Sequence, residues 1–103
     1  MVKITIVWWR DIPAQIIAGQ NRRSQIRYSL SERFEKAIDR AAMRAKAHES
    51  DQYLSEWRKV PEESLNDDFD EAVKNRAQQL ETLYDDAHLE TLIKNGGYAK
   101  KAT

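Results

Sequence analysis

Two adjacent tryptophans, Trp8 and Trp9, are followed directly by the charged residues Arg10 and Asp11. The preceding residues alternate in polarity like a β-strand, in which neighbouring side chains point to opposite faces of the sheet. One indole should therefore enter the core while the other faces outward. An outward indole beside an arginine is typical of a binding surface, because Trp, Tyr and Arg dominate the energetics of protein interfaces. In the alternative, both rings lie in the core, one against the first helix and one under the C-terminal helix.

A second group of aromatic and basic residues lies in the middle of the chain, at Tyr53, Trp57 and Arg58. This group either contributes to the same binding surface or only caps the core, with the guanidinium stacked on a ring. Polar groups that are partly buried need hydrogen-bond partners. We therefore expect the charged pair after the tryptophans to lie near Arg22 or Arg58.

Catalytic and metal sites have few candidate residues. The chain has no cysteine, and its two histidines, His48 and His88, are far apart in sequence, whereas a zinc site takes three or four ligands. The sequence contains neither a G-x-S-x-G motif nor a glycine-rich phosphate loop. The carboxylates at 67–71 and 85–86 are typical of helix N-termini, where they cap free amides. We therefore expect no metal and no cofactor, and the residues favour a non-enzymatic protein.

The charges of the chain are divided between its two halves. Its 103 residues hold 17 basic and 17 acidic side chains, so the formal net charge is zero. Residues 1–60 carry a net charge of +5, from 12 basic and 7 acidic residues, and residues 61–103 carry −5, from 5 basic and 10 acidic residues. We expect the acidic half to fold against the basic half, because small domains share one core. Head-to-tail self-association or a charged partner would satisfy the same division.

A basic helix beside strands with aromatic residues also occurs in proteins that hold single-stranded nucleic acids. The arginines concerned are Arg22, Arg23, Arg27, Arg33, Arg40 and Arg44. The zero net charge disfavours this function, since such domains usually carry a clear basic excess. The longest apolar stretch, 4–9, is much shorter than the roughly 20 residues of a membrane span. We expect a soluble, cytoplasmic protein without a membrane partner.

The first 30 residues show the pattern of three strands. The first covers 2–9 and ends before a proline, which a sheet accepts only at an edge or at the start of a strand. The second covers 14–18, a turn follows at 19–22, and alternation resumes at 24–30. The sequence therefore predicts a three-stranded antiparallel β-meander.

Helical patterns follow the strands. Apolar residues at helical spacing predict a helix over 31–46, followed by a short helix over 52–59. Residues 60–65 form a linker, either without regular structure or with one short extended segment. A third helix is predicted by apolar residues at Phe69, Val73, Ala77, Leu80 and Tyr84. Apolar residues at 89–93 form either a kinked continuation of this third helix or a separate short helix, which ends at the Asn-Gly-Gly sequence of 95–97.

Several blocks of the sequence resemble one bacterial family. They read W-W-R-D-I-P-A-Q at 8–15, L-S-E-R-F at 30–34, A-I-D-R-A-A-M at 37–43 and Y-L-S-E-W-R at 53–58. Through them the chain resembles the bacterial "virulence factor" domain family over residues 2–58. Its members are small stand-alone proteins or C-terminal modules of proteins of the conserved virulence factor C type. The motif positions that carry over are Trp8, Trp9, Arg10, Asp11, Pro13, Gln15, Arg22, Arg23, Tyr53, Trp57 and Arg58.

The resemblance implies no catalytic residue and no cofactor, since the family name describes a phenotype. It does imply an accessory role near folate- and corrinoid-dependent one-carbon enzymes. The expected architecture is a single α+β domain over 1–96, in which the meander is followed by three or four helices packed mainly on one face. The family-like core covers 2–60, the acidic helical part covers 65–95, and a disordered tail covers 97–103.

The expected function is that of a non-enzymatic interaction or accessory module, which binds a protein partner or a second copy of itself. Its contact surface combines the turn after the first strand with Arg22, Arg23 and residues 53–58. A second hypothesis is an enzyme or ligand-binding subunit, in which the arginines hold a small anionic group and Asp11 acts as acid or base. A third hypothesis is the binding of single-stranded nucleic acid.

Overall fold

The computed structural model describes residues 2–19, 25–46, 51–64 and 68–99. They form an α+β fold, as the sequence predicts. None of the helices in these ranges is long and apolar enough to cross a membrane. In chain order the elements are β1 (Val2–Trp9), β2 (Ile12–Ala18), β3 (Ile26–Ser29), α1 (Glu32–Arg44), α2 (Asp51–Ser55), β4 (Trp57–Ser64), α3 (Phe69–Leu83) and α4 (Asp86–Lys94).

The sheet has four antiparallel strands in the order β3-β2-β1-β4. The predicted meander is present as β1, β2 and β3, and a fourth strand that was not predicted lies on the other side of β1. The fourth strand is Trp57–Ser64, which the sequence assigned to the end of a helix and to a linker. It pairs with the whole length of β1, from Trp9 opposite Trp57 to Val2 opposite Ser64. Because β4 is an edge strand of this sheet, Pro61 is accepted within it without loss of an interior ladder bond.

The pairing of β1 with β2 is interrupted by a β-bulge. Gln15 lies opposite Val7 and Pro13 lies opposite Trp8, so Ala14 is an extra residue in β2. A bulge bends the strand that carries it, here β2. Strict alternation along β1 would bury Trp8 with the isoleucines before it, but the fully buried indole is that of Trp9.

The core lies between the sheet and the helices. In the described residues α1 contacts β2 and α4, while α3 contacts β1 and β2. The helices predicted over 31–46 and from Phe69 to Tyr84 are confirmed as α1 and α3, whereas the short helix predicted over 52–59 ends already at Ser55, as α2. Leu89, Leu92 and Ile93 belong to a separate helix, α4, whose N-cap Asp85 accepts a bond from the His88 amide. The largest fully buried side chains of the core include Ile6, Trp9, Ile12, Ile16, Phe34, Ile38, Leu80 and Leu92.

The N-cap of α3 is Asp68, whose carboxylate accepts from the amides of Asp70 and Glu71. The acidic first turn that the sequence predicts for this helix is confirmed, with Asp70 and Glu71.

The basic residues of α1 pair with the acidic C-terminal helices. Arg33 lies 2.9 Å from Glu81, and Arg40 lies 2.7 Å from Glu90. Arg44 Nε donates to the Lys94 carbonyl at 3.1 Å. The expected folding of the acidic half against the basic half is thus confirmed for these arginines.

Glu81 joins α3 to the start of α1. Its carboxylate accepts from the Ser31 amide and hydroxyl, each at 2.8 Å, and from Arg33 at 2.9 Å. Burial alone would raise the pKa of Glu81, but the bonds from Ser31 and Arg33 outweigh burial and hold the pKa below its ordinary value of 4.5. This carboxylate therefore stabilises the fold fully above that value, and the contribution is lost as the pH falls through the lowered folded-state pKa.

We expect Glu81→Gln to be less stable than the wild type near neutral pH and to approach it in acid, because a protonated Glu81 loses the same charge-assisted bonds. Urea unfolding of both proteins at about pH 7 and about pH 3 measures this change, and the other carboxylates cancel in the difference. A difference in unfolding free energy that stays constant with pH would contradict the assignment.

Candidate functional site

The turn between β1 and β2 contains an arginine that is almost fully buried. Arg10 is 3% exposed and has a φ of 54°, in the left-handed region. Its guanidinium lies 4.8 Å from the centre of the Trp9 ring and 4.6 Å from that of Tyr98. Nη1 donates to the Gly96 carbonyl at 2.8 Å, and Nη2 lies 3.9 Å from the Glu56 carboxylate. Arg10 therefore supports the fold, and its assignment as a binding residue stays a prediction.

Asp11 connects this turn to β4 and to the C-terminal segment. Its carboxylate accepts from Arg58 Nη2 at 3.2 Å and from the Ala99 amide at 2.7 Å. Arg58 also donates to the Arg10 carbonyl, and the Asp11 amide donates to the Gly97 carbonyl at 2.8 Å. The expectation that the charged pair lies near Arg58 is confirmed.

The C-terminal boundary of the domain stays a prediction. Residues 97–99, which the sequence assigned to the tail, contact the turn at Arg10 and Asp11. Residues 100–103 lie outside the described residues, as do Arg22, Arg23 and His48.

The two indoles have different surroundings. Trp9 is fully buried, and its Nε1 donates to the Tyr53 carbonyl at 2.9 Å. The centres of the Trp9 and Tyr53 rings are 5.7 Å apart. Trp8 is half-buried, with the Tyr84 ring edge-on at 6.0 Å and the Arg58 guanidinium at 5.6 Å. Trp8 is therefore the more accessible of the two indoles, although Tyr84 and Arg58 already contact its ring.

Three predicted site residues, Gln15, Tyr53 and Trp57, meet at a cleft of about 220 Å³. We call it the aromatic cleft. The Tyr53 and Trp57 rings form one side, with centres 6.0 Å apart and planes at 81°. The bulge in β2 brings Ala14 and Gln15 to the cleft, and Leu30 donates to the Ala14 carbonyl at 3.0 Å. The cleft is lined by Ala14, Gln15, Ser29, Leu30, Glu35, Ile38, Asp39, Tyr53 and Trp57.

The aromatic cleft carries negative charge. Glu35 and Asp39 lie one turn apart on α1, and neither has a hydrogen bond or an ion pair with the part of the chain that is described. Burial, together with the charges of Asp39 and Glu35, raises the pKa of Tyr53, so this phenol is neutral at physiological pH. At the rim, Arg27 Nη1 donates to Gln15 Oε1 at 3.3 Å.

Glu35 and Asp39 are the site residues that sequence reasoning missed. The available signal was their spacing: they lie four residues apart on either side of Ile38, and neither has a basic residue four positions away. Lys36, three positions before Asp39, pairs instead with Glu32 at 3.7 Å. The two carboxylates therefore lack a helix ion pair of the kind that forms between residues three or four apart.

Metal and histidine chemistry find no support in the described ranges. These residues contain no group of three or more His, Asp or Glu that could hold a metal ion. The His88 ring stacks on Tyr84 at 4.6 Å, and its Nδ1 lies 3.0 Å from the Leu83 carbonyl. His88 therefore packs between α3 and α4, away from the aromatic cleft.

Comparison with known protein families places the chain. The model of the virulence factor family matches residues 7–93. No curated protein and no solved structure matches the chain. The family match extends beyond the sequence blocks before residue 58 and includes α3 and α4, which complete the core. The chain therefore belongs to the virulence factor family.

Proposed function

We propose that the chain is a non-enzymatic protein-interaction or accessory module, and that the aromatic cleft is its contact site. The observation that carries this proposal is the meeting of Tyr53 and Trp57 with the unpaired carboxylates of Glu35 and Asp39. Aromatic side chains on rigid elements give large contact area at low entropic cost and are frequent at interface hot spots.

The proposal differs in position from the surface expected on sequence grounds. Arg10 is buried, and Asp11 and Arg58 are paired with each other. The Arg10 and Asp11 side chains of the β1–β2 turn are thus in contact with other parts of the fold, whereas the carboxylates of the aromatic cleft are available to a partner.

The two other hypotheses receive less support. A small anion needs free cations, but Arg10 and Arg58 have partners within the chain, and the carboxylates of the cleft would repel it. Binding of single-stranded nucleic acid needs a free basic face. Arg33 and Arg40 of α1 do not provide one, because both are paired with glutamates.

The family resemblance also bears on the partner. It implies an accessory role near folate- and corrinoid-dependent one-carbon enzymes, and we propose an enzyme of that group as the first partner to test. A direct binding measurement with such an enzyme would use the variants described next.

Affinity capture from the source bacterium, quantified by mass spectrometry, tests the proposal. Ser29 lines the cleft from an exposed strand position, so Ser29→Trp should fill the cleft without entering the core. We expect a set of proteins that the wild type captures to fall about tenfold or more with Ser29→Trp, as for loss of an interface hot spot.

Lys59→Trp is the matched control, since Lys59 is exposed on β4 and does not line the cleft. It should capture the same proteins as the wild type. Equal recovery with all three baits would show that the aromatic cleft is not the contact site. Arg10→Ala is unsuitable as a bait, because the buried guanidinium supports the fold.

A further inference from the structure

We infer that the aromatic cleft is a receptor for a guanidinium group, presented by an arginine side chain of the protein partner. This inference rests on the proposed function and specifies its chemistry. It depends on three properties of the cleft: its aromatic side, its free carboxylates and its size.

The aromatic side is suited to a planar cation. Guanidinium groups stack on the faces of Trp and Tyr, which carry negative charge density. Two arginines of the same molecule already make this contact with Trp or Tyr rings: Arg10 lies between the Trp9 and Tyr98 rings, and Arg58 lies 5.6 Å from the Trp8 ring. Tyr53 and Trp57 offer two further rings at the cleft, set nearly perpendicular to each other.

The carboxylates supply the matching charge. Glu35 and Asp39 project from successive turns of α1 to one cleft. A guanidinium presents five N–H donors in a fixed fork, so it can bond to two carboxylates while its plane lies against a ring. Gln15 adds a neutral acceptor, and its Oε1 already accepts a bond from the guanidinium of Arg27.

The size of the cleft selects a single side chain. Its volume of about 220 Å³ is below the roughly 300–1,000 Å³ of sites for drug-sized ligands. An ammonium group would satisfy the charge but would lose the stacking and the paired donors, so arginine should bind more tightly than lysine. An anionic side chain would meet two negative charges.

The test is an NMR titration of the full chain, labelled with ¹⁵N, with N-acetyl-arginine amide as the probe. We expect saturable shifts in the millimolar range, centred on the Trp57 indole N–H and on the amides of Gln15, Ser29 and Tyr53. N-acetyl-lysine amide should bind more weakly. The matching citrulline amide has the same shape without the charge and should give no saturable shift.

Two double variants locate the charge. Glu35→Gln/Asp39→Asn should weaken arginine binding about tenfold or more, since charge-assisted bonds are roughly twice as strong as neutral ones. Glu32→Gln/Glu63→Gln removes the same number of charges from exposed residues that do not line the cleft, and it should bind arginine like the wild type. The four replaced side chains are all exposed and take no part in the core. Both double variants should therefore fold.

Several results would overturn the inference: no saturable shift with arginine, equal shifts with citrulline, shifts centred outside the cleft, or equal weakening by both double variants. These results are distinct from failure of the proposed function, because the titration needs no partner. If Ser29→Trp abolishes capture while Glu35→Gln/Asp39→Asn captures normally, the cleft binds its partner without an arginine. The proposed function then stands and this inference fails.

Discussion

Replacement of Arg10 by alanine is expected to lower the free energy of unfolding by about 2–5 kcal/mol, as for truncation of a large buried side chain. The side chain is 3% exposed and stacks between Trp9 and Tyr98. Its removal leaves a cavity between the rings, and the Gly96 carbonyl loses its bond from Nη1. Unfolding in urea, followed by circular dichroism, measures the loss.

Arg40→Ala provides the control, because Arg40 pairs with Glu90 at the surface, where both side chains are about half exposed. Its loss should be below about 1 kcal/mol. Arg10→Lys keeps the charge without the planar fork, so it should fall between the two and remains measurable if Arg10→Ala does not fold. Equal losses for Arg10→Lys and Arg40→Ala would show that the buried guanidinium contributes little.

Gly97→Ala is expected to cost about 2–4 kcal/mol, from backbone strain and overpacking together. Gly97 has a φ of +100°, which side-chain-bearing residues rarely adopt. A Cβ there would lie 2.8 Å from Cζ3 of the buried Trp9 and 3.2 Å from Cδ of Arg10. Neither neighbour can move easily, since both pack in the core. The same urea unfolding experiment measures the effect.

Gly96→Ala is the matched comparison one residue earlier. Gly96 also has a positive φ, +70°, but its Cβ would meet Ala45 at 3.4 Å and Arg10 Nη1 at 3.5 Å, which are near ordinary contact distances. Only the left-handed backbone cost, about 1–2 kcal/mol, should remain. If the two glycine variants lose the same stability, the close approach to Trp9 has no energetic weight.

The fold could be predicted where the periodicity of the sequence is set by burial on one side. The alternation before Trp8 identified β1, and the apolar stripes of α1 and α3 identified those helices. The strand Trp57–Ser64 could not be identified in this way, because most of its residues are exposed and Pro61 interrupts it. Its structure depends on pairing with β1, about 50 residues earlier in the chain, which no local pattern reveals.

The site residues could be predicted by residue type, but their contacts with distant parts of the chain could not. The aromatic residues Tyr53 and Trp57 stood out by type, and they do line the aromatic cleft. The burial of Arg10 could not be seen, because an arginine in a turn is usually exposed. Its environment comes from Gly96 and Tyr98, at the other end of the chain.

The contacts of residues 97–99 with the β1–β2 turn also bear on how the protein is made. Arg10 and Asp11 leave the ribosome early, but the groups that complete their surroundings are synthesised almost 90 residues later. The hairpin at the start of the chain must therefore wait for α4 and the five residues beyond it, and its final packing is completed only after translation has passed residue 99.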